Sequence, residues 1–190
     1  LFSALKNIDL SEFDSLAVGP GIGIDNNDWQ KSKDFLMDFG GLLILDADAL
    51  NRISESKLGA NFFLERKFKT WITPHTKEFG RLFPNIKSKT NVGLARDAAK
   101  EFNISILLKG ANSIVADNKK VWQLFGTDSQ TARAGLGDLL AGFVAGSSAI
   151  DLTLCRNIST DFFAKYVLLH SFAASKCKSG SNASAIGDEL

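Results

Sequence analysis

The sequence predicts an α/β protein: a mostly parallel sheet sandwiched between helices, with a β-hairpin late in the chain. Two observations carry this. Short apolar runs alternate with amphipathic helical stretches along the whole chain. Several of those runs are apolar at every position, as in strands buried on both faces. A third observation concerns position. Most of the unusual residue chemistry falls directly after strands, and in an open parallel sheet that rim binds the ligand.

The elements follow in order. Ser15-Leu-Ala-Val18 reads as a strand feeding the glycine-rich turn Gly19-Pro-Gly-Ile-Gly23. Residues 26–39 put Trp29, Leu36 and Phe39 near one helical face, and Gly40-Gly41 stops that helix. Leu42-Leu-Ile-Leu45 is a buried strand ending at Asp46-Ala47-Asp48, where an Asp would cap a following helix. Lys69 to Thr73 is the next strand, closed by Pro74, with Phe79, Leu82 and Phe83 on the helix behind it. Thr90 to Phe102 is a helix with Ala95, Ala98, Ala99 and Phe102 on one side, and Ile104 to Leu108 is a strand. Ser113–Ala116 and Val121–Leu124 flank the turn Asp117-Asn118-Lys119 as a hairpin. A polar loop spans 126–133, a helix opens at Gly135 and runs to about Ala149, and a last helix covers about 158–177.

Composition bounds the function. Lys and Arg total 22 and Asp and Glu 21, a net charge of +1, which argues against a nucleic-acid surface. Hydrophobic residues make up 45%, enough for one ordinary folded domain. Cys155 and Cys177 form no disulfide framework, and with His75 and His170 isolated no zinc site is expected. Two free thiols suit a reducing cytoplasm. The longest apolar stretch, Leu139 to Ile150, falls short of a membrane span, so no membrane partner is expected.

Each rim motif has a plain reading and a chemical one. Gly19 to Gly23 is a tight turn, or a loop whose backbone approaches a flat or charged ligand. Asp46 and Asp48 cap a helix, or hold a metal-bound phosphate or a ligand hydroxyl. In Thr73-Pro74-His75-Thr76-Lys77-Glu78, Thr73 caps, Pro74 starts the helix and Glu78 completes the cap; alternatively His75 meets a ligand and Glu78 positions hydrated magnesium. Lys109, directly after a strand, is a loop charge or a phosphate contact, and is expected to be replaceable by Ala without loss of the fold. Gly135-Leu136-Gly137-Asp138 opens a helix with free N–H groups, an anion site beside a carboxylate able to accept a proton.

Taken together, GPGIG, LDADALN, TPHTKEF, LLKGANS and GLGDLLAG, from about Ala17 to Gly146, resemble the NAD(P)H-hydrate dehydratases of the ribokinase-like superfamily. The hydroxyethylthiazole kinases share the last piece but not the TPH and LKGA pieces as a set. The resemblance implies a three-layer α/β/α sandwich. It implies nucleotide contacts at Lys109, Gly110, Ala111, Asn112, Ser113 and Gly137. It implies contacts to the hydrated nicotinamide at Gly21, Gly23, His75 and Asp138. Asp138 would be the catalytic base and the amides of Gly135 and Gly137 the anion hole. Asp46, Asp48, Asn51 and Glu78 match positions that support phosphates and Mg²⁺, with Asp46 and Glu78 acting on the metal through water.

The implied reaction is the ADP- or ATP-dependent dehydration of the S-epimer of hydrated NADH or NADPH, with release of phosphate and AMP or ADP. Two departures stand out: Ala134 where the family has Gly, and Leu136 where it has Thr or Ser. The family also has α/β elements ahead of its GPG loop. Residues 1–190 are therefore expected to be a single dehydratase domain incomplete at its N-terminus, with an unpaired sheet edge, a possible fused epimerase upstream and a tendency to homo-oligomers. A hydroxymethyl kinase and a degenerate nucleotide-binding scaffold are the alternatives.

Overall fold

The carboxyl ends of the parallel strands line up side by side, and this alignment positions everything described below. A computed structural model of the chain describes residues 2–23, 26–125, 135–177 and 183–190. Helix α1 (Phe2–Leu5) and a 3-10 turn (Leu10–Glu12) lead into β1 (Ser15–Val18). Then come α2 (Asn26–Asp38), β2 (Leu42–Leu45), α3 (Ala47–Glu55), α4 (Asn61–Glu65), β3 (Thr70–Ile72), α5 (Thr76–Leu82), α6 (Asn91–Phe102) and β4 (Ser105–Leu108). The hairpin β5 (Ser113–Ala116) and β6 (Val121–Leu124) precedes α7 (Leu136–Cys155), α8 (Thr160–Lys176) and α9 (Ala183–Gly187).

The strands form one sheet in the order β1-β2-β3-β4-β5-β6. β1 to β4 are mutually parallel, and β5 and β6 are antiparallel additions. Val18 is in register with Leu45, and Leu45 with Ile72, so Gly19, Asp46 and Thr73 follow as neighbours along the rim.

Strand alternation divides the core into two. Leu43, Leu45, Ile72, Ile106 and Leu108 face α2 to α6, meeting Leu36, Leu50, Ile53, Phe62, Phe79 and Ala98. Leu42, Ile44, Trp71, Leu107 and Val115 face α7 and α8, where Trp71 stacks on Phe163 at 4.6 Å. Both faces of β2 to β5 are thus covered, which is why those strands read as continuous apolar runs. The three-layer sandwich is as expected, and β1 lies at one end of the sheet, paired to β2.

The structure departs from the sequence reading in places. α4 and α9, five residues each, were not foreseen, since so few positions display no periodicity. The polar loop at 126–133 lies outside the described residues. α7 continues to Cys155, and by length and composition alone it is long and apolar enough to cross a membrane. That corrects the expectation that no stretch reaches such a length. Here Leu140 and Val144 of α7 pack on the sheet, and Asp151 accepts a hydrogen bond from the Tyr166 hydroxyl of α8.

One buried charge holds the first layer together. Arg66 donates from Nη1 to the Leu36 and Met37 carbonyls at the end of α2, from Nη2 to the Gly41 carbonyl, and from Nε to Thr70 Oγ1. Its guanidinium also lies 5.8 Å from the Phe39 ring centre and 5.5 Å from that of Phe68. Burial pushes its pKa down to about 10, so it stays cationic at neutral pH against the negative end of α2. Arg66→Met should destabilise the protein by about 3–5 kcal/mol, because it strands buried carbonyls of three residues. Arg66→Lys should be intermediate, since one ammonium cannot reach every acceptor. Urea denaturation of the three proteins checks the order.

Candidate active site

Four loops and one helix end meet at the carboxyl rim, and backbone hydrogen bonds join the loops. The Asp46 N–H donates to the Val18 carbonyl, Thr73 N–H to Leu45, and Lys109 N–H to Pro74. His75 and Lys109 form a further parallel bridge. Strand pairing therefore continues past the formal strand ends, into the residues that carry the chemistry.

That extension corrects the cap assignment. With Thr73 and Pro74 held in the ladder, α5 starts two residues later and His75 takes the N-cap. His75 Nδ1 accepts from the Lys77 and Glu78 N–H groups at 3.0 and 3.2 Å, and Glu78 Oε2 accepts from the His75 N–H at 2.8 Å. Accepting at Nδ1 fixes the tautomer that carries its proton on Nε2. The ring is about half exposed, and Nε2 lies 3.4 Å from Glu78 Oε1. Thr73 is buried and its hydroxyl has no hydrogen-bond partner among the described residues.

Asp46 occupies the N-cap position of α3, yet its side chain makes no capping bond. Its Oδ1 instead pairs with Lys109 Nζ at 2.7 Å, the carboxylate being 2% exposed and the ammonium 27%. Gly137, in the first turn of α7, adjoins this pair: a Cβ there would stand 3.5 Å from Asp46 Oδ2 and 3.6 Å from Lys109 Nζ. Gly19 closes in from β1, where a Cβ would overlap the Asp46 carbonyl oxygen, so only glycine fits.

The N-terminus of α7 has no side-chain cap among the described residues. Gly135, at φ +83°, makes no side-chain cap, whereas α6 and α8 are capped by Thr90 and Ser159. The first-turn N–H groups and the positive end of a 20-residue helix thus lie beside Lys109. Asp138 sits exposed in that first turn. Leu136 packs with Leu139 against Ala173, Ala174 and Ile186 of α8 and α9. Ala134 lies outside the described residues.

The remaining expected residues are distributed around this centre. Gly21 and Gly23 are exposed in the first loop, and the Gly23 N–H donates to Asp48 Oδ2 at 3.0 Å. Gly110, Ala111 and Asn112 form the exposed loop between β4 and β5, with Ser113 Oγ donating to the Gly110 carbonyl at 3.4 Å. Asn51 accepts from Arg81 Nη2 at 2.7 Å, tying α3 to α5. The carboxylates are engaged with protein partners. Asp46 is ion-paired, Glu78 is taken up by His75, and no group of three or more His, Cys, Asp or Glu among the described residues is placed to hold a metal. Cavities of about 440 and 380 Å³ lie away from the rim, around Lys69 and Arg156 and around Phe35 and Phe39. Chemistry, and neither of these cavities, marks the site.

A family model described as NAD(P)H-hydrate dehydratase matches residues 2–186. A protein of Gloeobacter violaceus named bifunctional NAD(P)H-hydrate repair enzyme Nnr is 38% identical over 159 residues, 80% of this chain and 28% of its own length. The chain thus spans little more than a quarter of that relative. Among solved structures, a ribokinase-like superfamily protein of Enterococcus faecalis superposes with a TM-score of 0.79 at 23% identity, covering 98% of this chain and 64% of that one. The ADP/ATP-dependent NAD(P)H-hydrate dehydratase of Bacillus subtilis, co-crystallised with ATP/Mg²⁺, gives 0.75 at 22% identity, with 99% and 66% coverage. These two establish a shared ribokinase-like fold.

The ion pair revises the expectation for Lys109. Removing the lysine leaves a buried carboxylate unpaired, so Lys109→Ala should cost about 3 kcal/mol of stability. The double variant Asp46→Asn/Lys109→Ala should recover most of it, because the buried charge is gone. Denaturant titration at pH 7 checks both, and a loss below about 0.5 kcal/mol in the single variant would contradict the pairing.

Proposed function

The chain belongs to the NAD(P)H-hydrate dehydratase family, and on that premise we propose that it takes part in nucleotide-dependent dehydration of the S-epimer of hydrated NADH or NADPH. The single observation that carries the reading is the convergence of Lys109, the open start of α7 and Asp138 on one rim. A cation and free amides suit the phosphates of ADP or ATP, and a neighbouring carboxylate suits a hydroxyl that is to be phosphorylated.

In this reading the nucleotide lies along Lys109, Gly110, Ala111, Asn112, Ser113 and Gly137. The hydrated nicotinamide lies against Gly21, Gly23 and His75, the last offering its Nε2–H as a donor. Asp138 accepts the proton of the hydroxyl on C6 as that oxygen attacks the terminal phosphorus. The amides of Gly135 and Gly137 hold the developing negative charge, an effect of about 10² to 10³ in rate per donor. The C6–O bond then breaks, phosphate departs with the neighbouring proton, and the ring double bond returns. AMP or ADP is the other product. Leu136 has no hydroxyl to contribute, so the loop acts through its backbone. Magnesium would enter with the nucleotide phosphates, as it does where proteins supply few direct ligands, and neither Asp46 nor Glu78 is proposed as one.

The wider assembly belongs to the same proposal. A fused epimerase is part of this reading; a relative named bifunctional, of which the chain spans 28%, supports a second domain. A homo-oligomer is supported by Ile150 and Leu154 of α7 and Leu168 and Phe172 of α8, all exposed. Two free thiols, Cys155 and Cys177, support a reducing cytoplasm.

Asp138→Asn tests the chemistry. Turnover of hydrated NADH with ADP or ATP and Mg²⁺, read as returning dihydronicotinamide absorbance, should fall by about 10² to 10⁴. Nucleotide affinity by calorimetry should hold, and stability should change by at most about 1 kcal/mol, since Asn suits a first turn nearly as well. Near-normal turnover would remove Asp138 from the mechanism.

A further inference from the structure

Asp46 and Asp48 stand two residues apart at the start of α3, and neither serves that helix in the ordinary way. An acidic side chain there usually rests on the helix's own free N–H groups. Asp46 instead crosses to Lys109, at 2.7 Å. Asp48 crosses to the first loop, its Oδ2 accepting the Gly23 N–H at 3.0 Å. Between them, Ala47 has φ +46°, a left-handed value that a residue with a side chain adopts at a steric cost.

We propose that Asp46-Ala47-Asp48 is a two-armed positioning element, in which Asp48 holds the Gly19–Gly23 loop at the nicotinamide end of the site while Asp46 holds Lys109 at the phosphate end. This rests on the dehydratase reading above. The left-handed Ala47 keeps the two carboxylates on separate partners. Like charges this close in sequence would otherwise compete for the same cation.

The element has a firm base. α3 buries Ala49, Leu50 and Ile53 in the first-layer core, and Asn51 ties it to Arg81 of α5. The loop it holds is of the opposite kind. It contains three glycines, and within it the Ile22 N–H turns back to the Gly19 carbonyl. A chain so rich in glycine loses much conformational freedom on ordering. A charge-assisted bond from a rigid helix reduces what the ligand must order. Asp48 is therefore a positioning residue acting through Gly23, and Asp46 one acting through Lys109.

The two arms predict a split between substrates. In the full-length protein, Asp48→Ala should raise the KM for hydrated NADH about tenfold and leave the nucleotide KM within about twofold. Amide exchange over residues 19–23 should speed up by a similar factor. Asp48→Asn keeps an oxygen that accepts the Gly23 N–H and should restore most of both. Asp46→Asn should leave loop exchange unchanged and raise the nucleotide KM. Ala47→Gly should raise both KM values without lowering the thermal midpoint, a pattern that simple loss of stability does not produce. Unchanged loop exchange in Asp48→Ala would overturn the proposal. So would equal shifts of both KM values in either Asp variant. A wild-type full-length protein without turnover of hydrated NADH would overturn the dehydratase reading instead. Loop exchange in Asp48→Ala and ADP affinity in Asp46→Asn need no turnover, and would still decide the two arms.

Discussion

A carboxylate buried at the end of β2 needs a counter-charge, and the rim is arranged around that need. Asp46 takes its cation from Lys109, which arrives on β4, two strands away. The start of α7 adds a partial positive charge beside the pair. One full negative charge thus meets one full positive charge, with a helix end beside them. Gly19 lacks a side chain because the backbone of Asp46 already occupies that space. The pair is therefore a structural condition of the rim as well as a chemical feature of it.

The capping pattern follows the same division. Helix α8 starts at the far rim, where Thr160 Oγ1 lies 2.7 Å from Ser105 Oγ at the opening of β4, and is closed by Ser159 in the usual way; α6, which leads back to that same rim, is closed by Thr90. At the near rim, α5 is closed by a half-exposed histidine whose second nitrogen lies 3.4 Å from Glu78 Oε1, and α3 and α7 have no side-chain cap among the described residues. Helix ends that a hydroxyl would satisfy are there left for other acceptors. The cost in helix stability is modest, about 1 kcal/mol for each missing cap. Two well-packed core layers absorb it.

Those layers also explain how the helix that carries Asp138 is aimed. α7 rests on β1 and β2 through Leu140 and Val144, and α8 runs beside it through Tyr166 and Asp151. At its open end, Leu136 and Leu139 are drawn into a small apolar cluster with Ile186 of α9. The residue that departs from the family's hydroxyl therefore anchors the helix start to the C-terminal helix. On the opposite layer, Arg66 closes the end of α2 with two of its four side-chain donations and ties it to Gly41 and Thr70 with the others, an arrangement that belongs to folding and not to the site.

The sequence by itself determined the architecture. Fully apolar runs such as Leu42 to Leu45 dictate strands covered on both faces, and helical stretches between them dictate parallel crossovers. It also placed the glycine loop, the aspartates, His75, Lys109 and Gly135 to Asp138 on one rim, because strand ends are legible from local composition. Partners were not legible. That Lys109 belongs to Asp46 and Asp48 to Gly23, that His75 and not Thr73 caps α5, and that Leu136 turns toward Ile186 were decided by tertiary structure alone. Each depends on a register between segments far apart in sequence. An ion pair, a cap or a close contact is set by a few tenths of an ångström across such a register, and no local pattern of residues encodes that distance.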